Sequence, residues 1–314
     1  RLPPLSHCCA MREGDAPSAA ELPLRGGTGL GRARFMGCGW RAALGKTEMP
    51  PTTIQSALKN RVAVVTGGGS GLGAATARAL RDAGALVALL DRDSAAVQAV
   101  AQALGVAGYA ADVTDDAGME QVFEQIRTDL GPVYVLVNCA GVADPGSVVR
   151  KGEAMPLAAF ERVVEINLLG SINAVRCAVP QMIEARTPKD AAHGVQAGVV
   201  IHTASIAAFE GQMGQAAYAA SKGGCAGMVL PLTRELGDYG IRVMGIAPGV
   251  FETPMTLNLS PASRDVVFAA VPPFPQRPGR AEEFAALALA IIGNPMLNGE
   301  VIRLDGGLRM PARL

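Results

Sequence analysis

A glycine-rich loop constrains the fold of this chain more than any other feature. The apolar run Val62–Val65 leads directly into Thr66–Gly73, which reads TGGGSGLG, and an Ala-rich stretch follows. Glycines let the backbone turn sharply and approach a phosphate closely, and the N-terminus of the next helix offers free amides and a partial positive charge. A glycine turn by itself is a weak sign, but a strand before it and a helix after it are the context that a dinucleotide-binding loop requires. The loop therefore predicts the first βα unit of a dinucleotide-binding sheet.

Strand-like and helix-like stretches alternate along the rest of the chain. Seven apolar runs predict strands over residues 61–66, 85–90, 106–111, 133–138, 198–203, 241–246 and 300–304. Ala-rich stretches between them predict helices over residues 73–83, 94–104, 119–129, 160–178, 216–236 and 282–292. Each crossover is long enough for a helix, so the strands should be parallel. We expect an α/β fold, a single doubly wound Rossmann domain over residues 58–314, with about seven strands and helices on both faces.

Residues 1–48 differ from the rest, because they are rich in Gly, Pro and Arg and have no strand or helix period. We expect a disordered leader, or an extension of the reading frame upstream of Met49. An Arg-rich leader is alternatively an organelle transit peptide, but acidic residues interrupt it and it is not amphipathic. The expected location is cytoplasmic, or mitochondrial if the leader is a genuine transit peptide.

Charge and residue spacing argue against several classes of partner. The 28 basic and 28 acidic residues balance, so no nucleic acid partner is expected. The three histidines are too dispersed to suggest a metal site, and Cys139, Cys177 and Cys225 form no close pair and are expected to be small buried side chains. No run of about 18 apolar residues occurs, and we therefore expect no membrane span.

The end of the second predicted strand indicates which cofactor the loop binds. Asp91 lies 18 residues after Gly73. A carboxylate there can accept hydrogen bonds from the adenosine ribose hydroxyls and would repel a 2′-phosphate, which favours NAD over NADP. Arg92 could pair with that phosphate, but Asp93 partly neutralises it. Three further strand ends fit other parts of the cofactor. Residues 112–113 fit the adenine edge, residues 138–141 leave room for the nicotinamide ribose, and residues 248–249 fit a bend beside the nicotinamide. Each is alternatively an ordinary turn at a strand end.

Tyr218 and Lys222 are the candidate reacting pair. They stand four residues apart, which places both side chains on one face of a helix. An ammonium near a tyrosine stabilises the phenolate, so the pair can exchange a proton with a substrate oxygen. An exposed pair on a surface helix is the plainer alternative. Ser205 at a strand end and Asn167 in an apolar helical stretch favour the catalytic interpretation, because a buried amide needs partners, for example a water linked to Lys222.

Together the glycine loop, Asn138–Gly141, Asn167, Ser205, Tyr218 and Lys222 resemble the short-chain dehydrogenase/reductase family, in order over about residues 58–314. The resemblance implies that Tyr218 is the acid/base, that Lys222 binds the nicotinamide ribose and tunes Tyr218, that Ser205 polarises the carbonyl, and that Asn167 completes the tetrad through water. It also implies a homotetramer. The implied NAD contacts are Gly67, Ser70, Gly71, Leu72, Gly73, Asp91, Asp112, Val113, Asn138, Cys139, Ala140, Gly141, Tyr218, Lys222, Pro248, Phe251 and Thr253.

Residues 203–218 and 294–306 are similar to the members of this family that oxidise 3-hydroxyacyl-CoA to 3-oxoacyl-CoA with NAD. That resemblance implies an acyl-CoA-type substrate near Ser205, Gln212 and Gln215. The apolar, proline-punctuated residues 254–275 suggest a mobile lid, with a packed surface helix as the alternative.

Three other functions remain open at this point. A 3-oxoacyl-carrier-protein reductase has the same tetrad but normally uses NADPH, which Asp91 disfavours. A hydroxysteroid or other alcohol dehydrogenase would also fit. A structural subunit in RNA maturation is the alternative outside enzymes, and the neutral charge weakens it.

Overall fold

Seven parallel strands form the main sheet of the computed structural model, which describes residues 54–258, 267–268 and 270–312. They are β1 (Val62–Thr66), β2 (Leu86–Asp91), β3 (Ala107–Ala110), β4 (Val133–Asn138), β7 (Gly198–Thr203), β8 (Ile241–Pro248) and β11 (Val301–Leu304), in the order β11-β8-β7-β4-β1-β2-β3. The short pairs are β5 (Val149–Arg150) with β6 (Glu153–Ala154), and β9 (Phe251–Glu252) with β10 (Gly279–Arg280).

Helices connect the strands and cover both faces of the sheet. They are α1 (Ile54–Leu58), α2 (Gly71–Asp82), α3 (Ser94–Leu104), α4 (Asp116–Leu130), α5 (Leu157–Val164), α6 (Gly170–Glu184), α7 (Pro188–Ala192), α8 (Ala207–Glu210), α9 (Ala216–Leu236), α10 (Pro254–Leu257) and α11 (Ala281–Gly293). A π-helical turn, Glu165–Leu169, joins α5 to α6, and a 3₁₀ turn, Gly237–Tyr239, follows α9.

Successive residues of each strand enter two separate apolar cores. Along β1, Val62 and Val64 pack against α4, α6 and α9, whereas Ala63 and Val65 pack against α2, α3 and α11. A strand that is buried on both faces must be apolar at every position, which explains its continuous hydrophobic run. The predicted doubly wound α/β fold is thereby confirmed.

The predicted element bounds agree closely with those observed, with one exception. Each strand of the main sheet begins and ends within two residues of its prediction, and α3 and α9 match it. The helical stretch predicted over residues 160–178 instead extends from Leu157 to Glu184 and includes the π-helical turn. Pro180 lies inside α6, where a proline normally weakens a helix. The sequence pattern therefore underestimates the length of this helical stretch.

The N-terminal boundary of the domain is earlier than residue 58. Helix α1 precedes that boundary, its Leu58 is fully buried, and its Ile54 lies against Gly293 at the end of α11. The predicted leader, residues 1–48, lies outside the described residues.

The stretch Leu157–Glu184 is, within the described part of the chain, the helix long and apolar enough to cross a membrane, with a mean hydropathy of 1.2. In this fold, however, it packs against α4, α9 and β4 through buried residues such as Ala174 and Met182. Helices of a protein core have the same composition. The stretch is therefore no clear candidate for a membrane span.

A buried arginine that sequence reasoning missed ties β8 to α11. The guanidinium of Arg242 donates hydrogen bonds to the carbonyl oxygens of Ile291, Ile292 and Leu297, at 2.6 to 3.0 Å, and to the side chain of Gln196. The last carbonyls of a helix have no partner within the helix, and a cation there also interacts favourably with the helix dipole. Burial lowers the pKa of Arg242.

We predict that Arg242→Met destabilises the fold by about 3 kcal/mol, because it leaves buried carbonyl oxygens without donors. Urea denaturation followed by circular dichroism measures the loss. Arg127→Met is the matched control, because Arg127 is half-exposed on α4 and pairs with Glu124 in an exposed ion pair, which contributes little to stability. Equal losses in the two variants would show that the Arg242 bonds contribute no more than a surface ion pair.

Candidate active site

One cavity of about 980 Å³ lies at the carboxyl edge of the main sheet. Its wall includes residues that end or follow β1, β2, β7 and β8, namely Gly67, Asp91, Ser205 and Pro248. Open α/β sheets bind their ligands at this edge, where the connections diverge. The volume is at the upper end of the range for small-molecule sites, so a large cofactor and a substrate fit together.

Glycines shape the wall of the cavity between β1 and α2. Gly67 and Gly71 have positive φ angles, 66° and 50°, which favour glycine. A Cβ atom on Gly73 would lie 2.1 Å from the carbonyl oxygen of Gly67, and one on Gly67 would lie 2.7 Å from the amide nitrogen of Ala140. The loop therefore holds its shape only with glycine at these positions. It forms a cradle of backbone amides, with Ser70 preceding α2 and Leu72 in its first turn.

Asp91 is fixed at the wall of the cavity by two backbone amides. One carboxylate oxygen accepts the N–H of Gly69 and the other that of Asp93, each at 3.0 Å. Arg92 and Asp112 line the same region of the cavity. The carboxylate of Asp112 accepts the backbone N–H and the hydroxyl of Thr114 at 2.9 and 2.8 Å. The structure thus brings the residues predicted for the adenosine half together.

The Asn138 side chain is placed differently from the prediction. It is 2% exposed and donates to the carbonyl oxygen of Ser171 at 3.2 Å, beneath the cavity rather than on its wall. The residues after it, Cys139, Ala140 and Gly141, do line the cavity, as do the other residues predicted to contact the cofactor. Asn138 therefore joins β4 to α6, and its side chain is turned away from the cofactor half.

Tyr218 and Lys222 meet at the cavity near Ser205. The ammonium of Lys222 lies 5.9 Å from the centre of the Tyr218 ring and donates to the carbonyl oxygen of Thr203 at 2.7 Å. Lys222 is only 5% exposed, so its charge acts on the ring with little screening by water. The Ser205 hydroxyl accepts the N–H of Ala207 at 3.1 Å, which leaves its own hydrogen free to donate into the cavity.

Asn167 lies behind this group in the π-helical turn. Its amide exchanges two hydrogen bonds with the backbone of Val142, at 2.8 and 2.9 Å, and donates a third to the Ser221 hydroxyl at 3.0 Å. A Cβ on Gly141 would lie 3.1 Å from the Asn167 oxygen and 3.5 Å from the Lys222 nitrogen, so both groups approach the same point. The predicted link through water is compatible with this approach. Sequence reasoning missed the Val142 and Ser221 partners and the π-helical turn, a feature frequent at functional sites.

His202 is a second residue that sequence reasoning missed. It is fully buried on β7, with its Nδ1 3.4 Å from the side-chain nitrogen of Asn138, and its Nε2 has no partner among the described residues. Burial, together with the nearby charge of Lys222, lowers the pKa of His202 to about 4. The ring is therefore neutral and adds no second positive charge beneath the site. No cluster of metal-ligating side chains occurs in the described part of the chain.

Gln212 and Gln215, which are predicted to lie near the substrate, line the cavity together with Met213, Met255 and Met310. The Gln212 side chain also donates to the carbonyl oxygen of Pro311 at 3.0 Å.

Phe251 is buried, with its ring against Gly279, and still borders the cavity, as does Thr253. Of the predicted lid over residues 254–275, α10 lines the cavity, whereas residues 259–266 and 269 lie outside the described residues.

The comparisons with known proteins agree with this geometry. A family model described as short chain dehydrogenase matches residues 61–264. The human 3-hydroxyacyl-CoA dehydrogenase type-2 is 46% identical over 257 residues, covering 81% of this chain and 97% of that protein. A 3-oxoacyl-[acyl-carrier-protein] reductase of Thermotoga maritima is 33% identical, covering 80% and 98%. The crystal structure of a 3-hydroxyacyl-CoA dehydrogenase type-2 from Mycobacterium avium superposes with a TM-score of 0.72 at 34% identity, covering 81% of this chain and 98% of that one.

We predict that His202→Leu weakens the acid sensitivity of the fold. Since the unfolded ring binds a proton more readily than the buried one, stability falls as the pH drops from about 6.5 toward about 4. At about pH 5 the loss due to His202 is about 2 kcal/mol. Denaturant titrations of both proteins between about pH 5 and pH 8 measure the difference in slope. If the free energy of unfolding changes with pH equally in the two proteins, then His202 binds protons equally in the folded and unfolded states.

Proposed function

The chain belongs to the short-chain dehydrogenase family and is an oxidoreductase acting on CH–OH groups, and we propose that it oxidises a 3-hydroxyacyl-CoA to a 3-oxoacyl-CoA with NAD. The observation that carries the proposal is the placing of Tyr218, Lys222 and Ser205 at one cavity at the carboxyl edge of the sheet. The proteins named 3-hydroxyacyl-CoA dehydrogenase type-2 support the choice of substrate, because they are 43–46% identical over nearly their whole length.

A nicotinamide cofactor is typical of this family, and the shape of the cavity fits one. Any Cβ atom on Gly67 or Gly73 would collide with neighbouring backbone, so only glycine permits the tight turn that leads into the first turn of α2, where phosphates are stabilised. NAD is proposed over NADP because the Asp91 carboxylate is held at the wall by Gly69 and Asp93, where it would accept the ribose hydroxyls and repel a 2′-phosphate.

The protein's own residues handle the proton of the reaction. When bound, the cofactor supplies the acceptor for the hydride that leaves the substrate carbon. Ser205 holds the substrate oxygen by a hydrogen bond, and the hydroxyl proton passes from that oxygen to the phenolate of Tyr218. Lys222 stabilises the phenolate electrostatically. Asn167 positions Val142 and Ser221 around this group. In the reverse direction Tyr218 returns the proton to the carbonyl oxygen.

A second candidate function is the reduction of a 3-oxoacyl-carrier-protein, since such a reductase is 33% identical to this chain. Exposed Arg92, beside Asp91 at the cavity, favours this reading because it could pair with the phosphate of NADPH. Steady-state rates with acetoacetyl-CoA, an acyl carrier protein substrate and a steroid ketone, each with NADH and NADPH, separate these activities from a hydroxysteroid dehydrogenase.

We also propose a homotetramer that acts in the cytoplasm, or in mitochondria if residues 1–48 act as a transit peptide. Leu169 and Leu230, 54% and 43% exposed on adjoining helices, would be covered by another copy. Light scattering measures the assembly, and N-terminal sequencing of the native protein tests the leader.

A structural role in RNA maturation is disfavoured by the balanced charge.

We predict that Tyr218→Phe lowers kcat about a hundredfold to ten-thousandfold, because it removes only the proton-transferring hydroxyl. NADH formation measures kcat, and fluorescence titration with NADH checks that cofactor binding remains. Tyr239→Phe is the matched control, because Tyr239 is exposed in the 3₁₀ turn after α9 and does not border the cavity. A Tyr218→Phe enzyme with most of its activity would remove Tyr218 as the acid/base.

We predict that Asp91→Asn lowers the preference for NAD over NADP, measured as the ratio of kcat/KM, by about tenfold. Asparagine retains an acceptor for Gly69 but lacks the charge that repels a 2′-phosphate. Asp93→Asn is the matched control. Asp93 caps α3 and does not border the cavity, so the loss of its charge should change the ratio little. The same change in both variants would indicate a general effect of charge rather than a contact of Asp91.

A further inference from the structure

Residues 310–312 contact the segment that follows Ser205, and Met310 among them lines the cavity. Three hydrogen bonds join these residues to Glu210, at the end of α8, and to the loop between α8 and α9. The backbone N–H of Met310 donates to the Glu210 carboxylate at 2.8 Å, and the Gln212 side chain donates to the Pro311 carbonyl oxygen at 3.0 Å. The N–H of Met213 donates to the carbonyl oxygen of Ala312 at 3.1 Å. Residues 310–312 therefore lie along this loop in a defined register.

A cluster of charges fixes the same contact. Glu210 pairs with Arg303 of β11 at 2.6 Å, and Arg303 pairs with Asp305 at 2.7 Å. The three side chains are only 19%, 23% and 6% exposed, so these pairs are less screened than surface pairs. Although burial opposes it, the hydrogen bonds from Arg303 and from the Met310 amide lower the pKa of Glu210. Glu210 is therefore a charged anchor for the chain end.

This anchor lies close to the reacting residues. Glu210 ends α8, which begins two residues after Ser205, and the Ser205 hydroxyl accepts the first N–H of that helix. Met310 borders the same cavity as Ser205, and Met213, Met255 and Val267 also line it. Methionine side chains are apolar and adaptable, which suits an acyl chain rather than a charged group.

We propose that the segment 308–312 holds Met310 as a fixed part of the wall of the proposed substrate half, that Met310 limits the length of the acyl chain, and that Glu210 is the positioning residue that holds this wall. The inference rests on the proposed function, because it names the part of the substrate that meets the wall. It adds a specificity element that follows Glu210 by about 100 residues in the sequence.

Rates with 3-oxoacyl-CoA substrates of increasing length, beginning with acetoacetyl-CoA, test the role of Met310. Met310→Ala should raise the ratio of kcat/KM for long chains to that for acetoacetyl-CoA by about tenfold, because space for further methylenes opens. Met310→Trp should lower the same ratio. Met296→Ala is the matched control, because Met296 is 87% exposed and does not border the cavity, and its ratio should equal that of the unaltered protein.

Glu210→Ala tests the anchor separately. It should move the chain-length ratio in the direction of Met310→Ala and speed amide hydrogen exchange at residues 308–312, measured by mass spectrometry. Glu124→Ala, which breaks an exposed ion pair on α4, should change neither quantity.

The possible failures are distinguishable. If the unaltered protein reduces acetoacetyl-CoA but the Met310 variants keep its chain-length ratio, the wall is disproved and the proposed function stands. If Glu210→Ala leaves exchange and ratio unchanged, the anchor is disproved. If the unaltered protein reduces no 3-oxoacyl-CoA, the proposed function fails, and this inference fails with it.

Discussion

The rest of the site depends on the hydrogen bond that the buried ammonium of Lys222 donates to the sheet. A charge that is 5% exposed needs a partner, and the carbonyl oxygen of Thr203 at the end of β7 provides it. This bond ties α9 to the carboxyl edge of the sheet, so Tyr218 on the same helix reaches the cavity. The residues around Lys222 are compatible with its positive charge, because His202 beneath it stays neutral and Gly141 leaves space beside the ammonium.

Local features of the fold could be predicted from the sequence because their causes are local. A strand buried on both faces is a continuous apolar run, and the strand bounds were therefore predicted within two residues. The glycine loop is equally local, since Gly67 and Gly73 are required by contacts within one βα unit and with the adjacent strand end. The position of the Asn138 side chain is harder to predict, because its partners Thr66, Ser171 and His202 lie on three other elements, distant in the sequence.

Two polar residues inside apolar strands have structural roles that sequence reasoning missed. Arg242 interrupts the run of β8 and His202 that of β7. In a strand covered on both faces such a residue needs a buried partner or must stay neutral. Arg242 has carbonyl partners on α11, whereas His202 remains neutral. The sequence could have marked both positions as unusual, but the partners of Arg242 lie about 50 residues away.

The two halves of the cavity differ in how they are built, and this explains what the sequence reveals about each. Backbone amides, glycines and the carboxylates of Asp91 and Asp112 near the strand ends form the proposed cofactor half, so short motifs identify it. The substrate half depends on contacts such as those of Glu210 and Gln212 with residues about 100 positions later. Such contacts follow from the packing of β11 at the edge of the sheet, beside β8. A change near the chain end can therefore alter substrate choice while the catalytic group and the cofactor half stay intact.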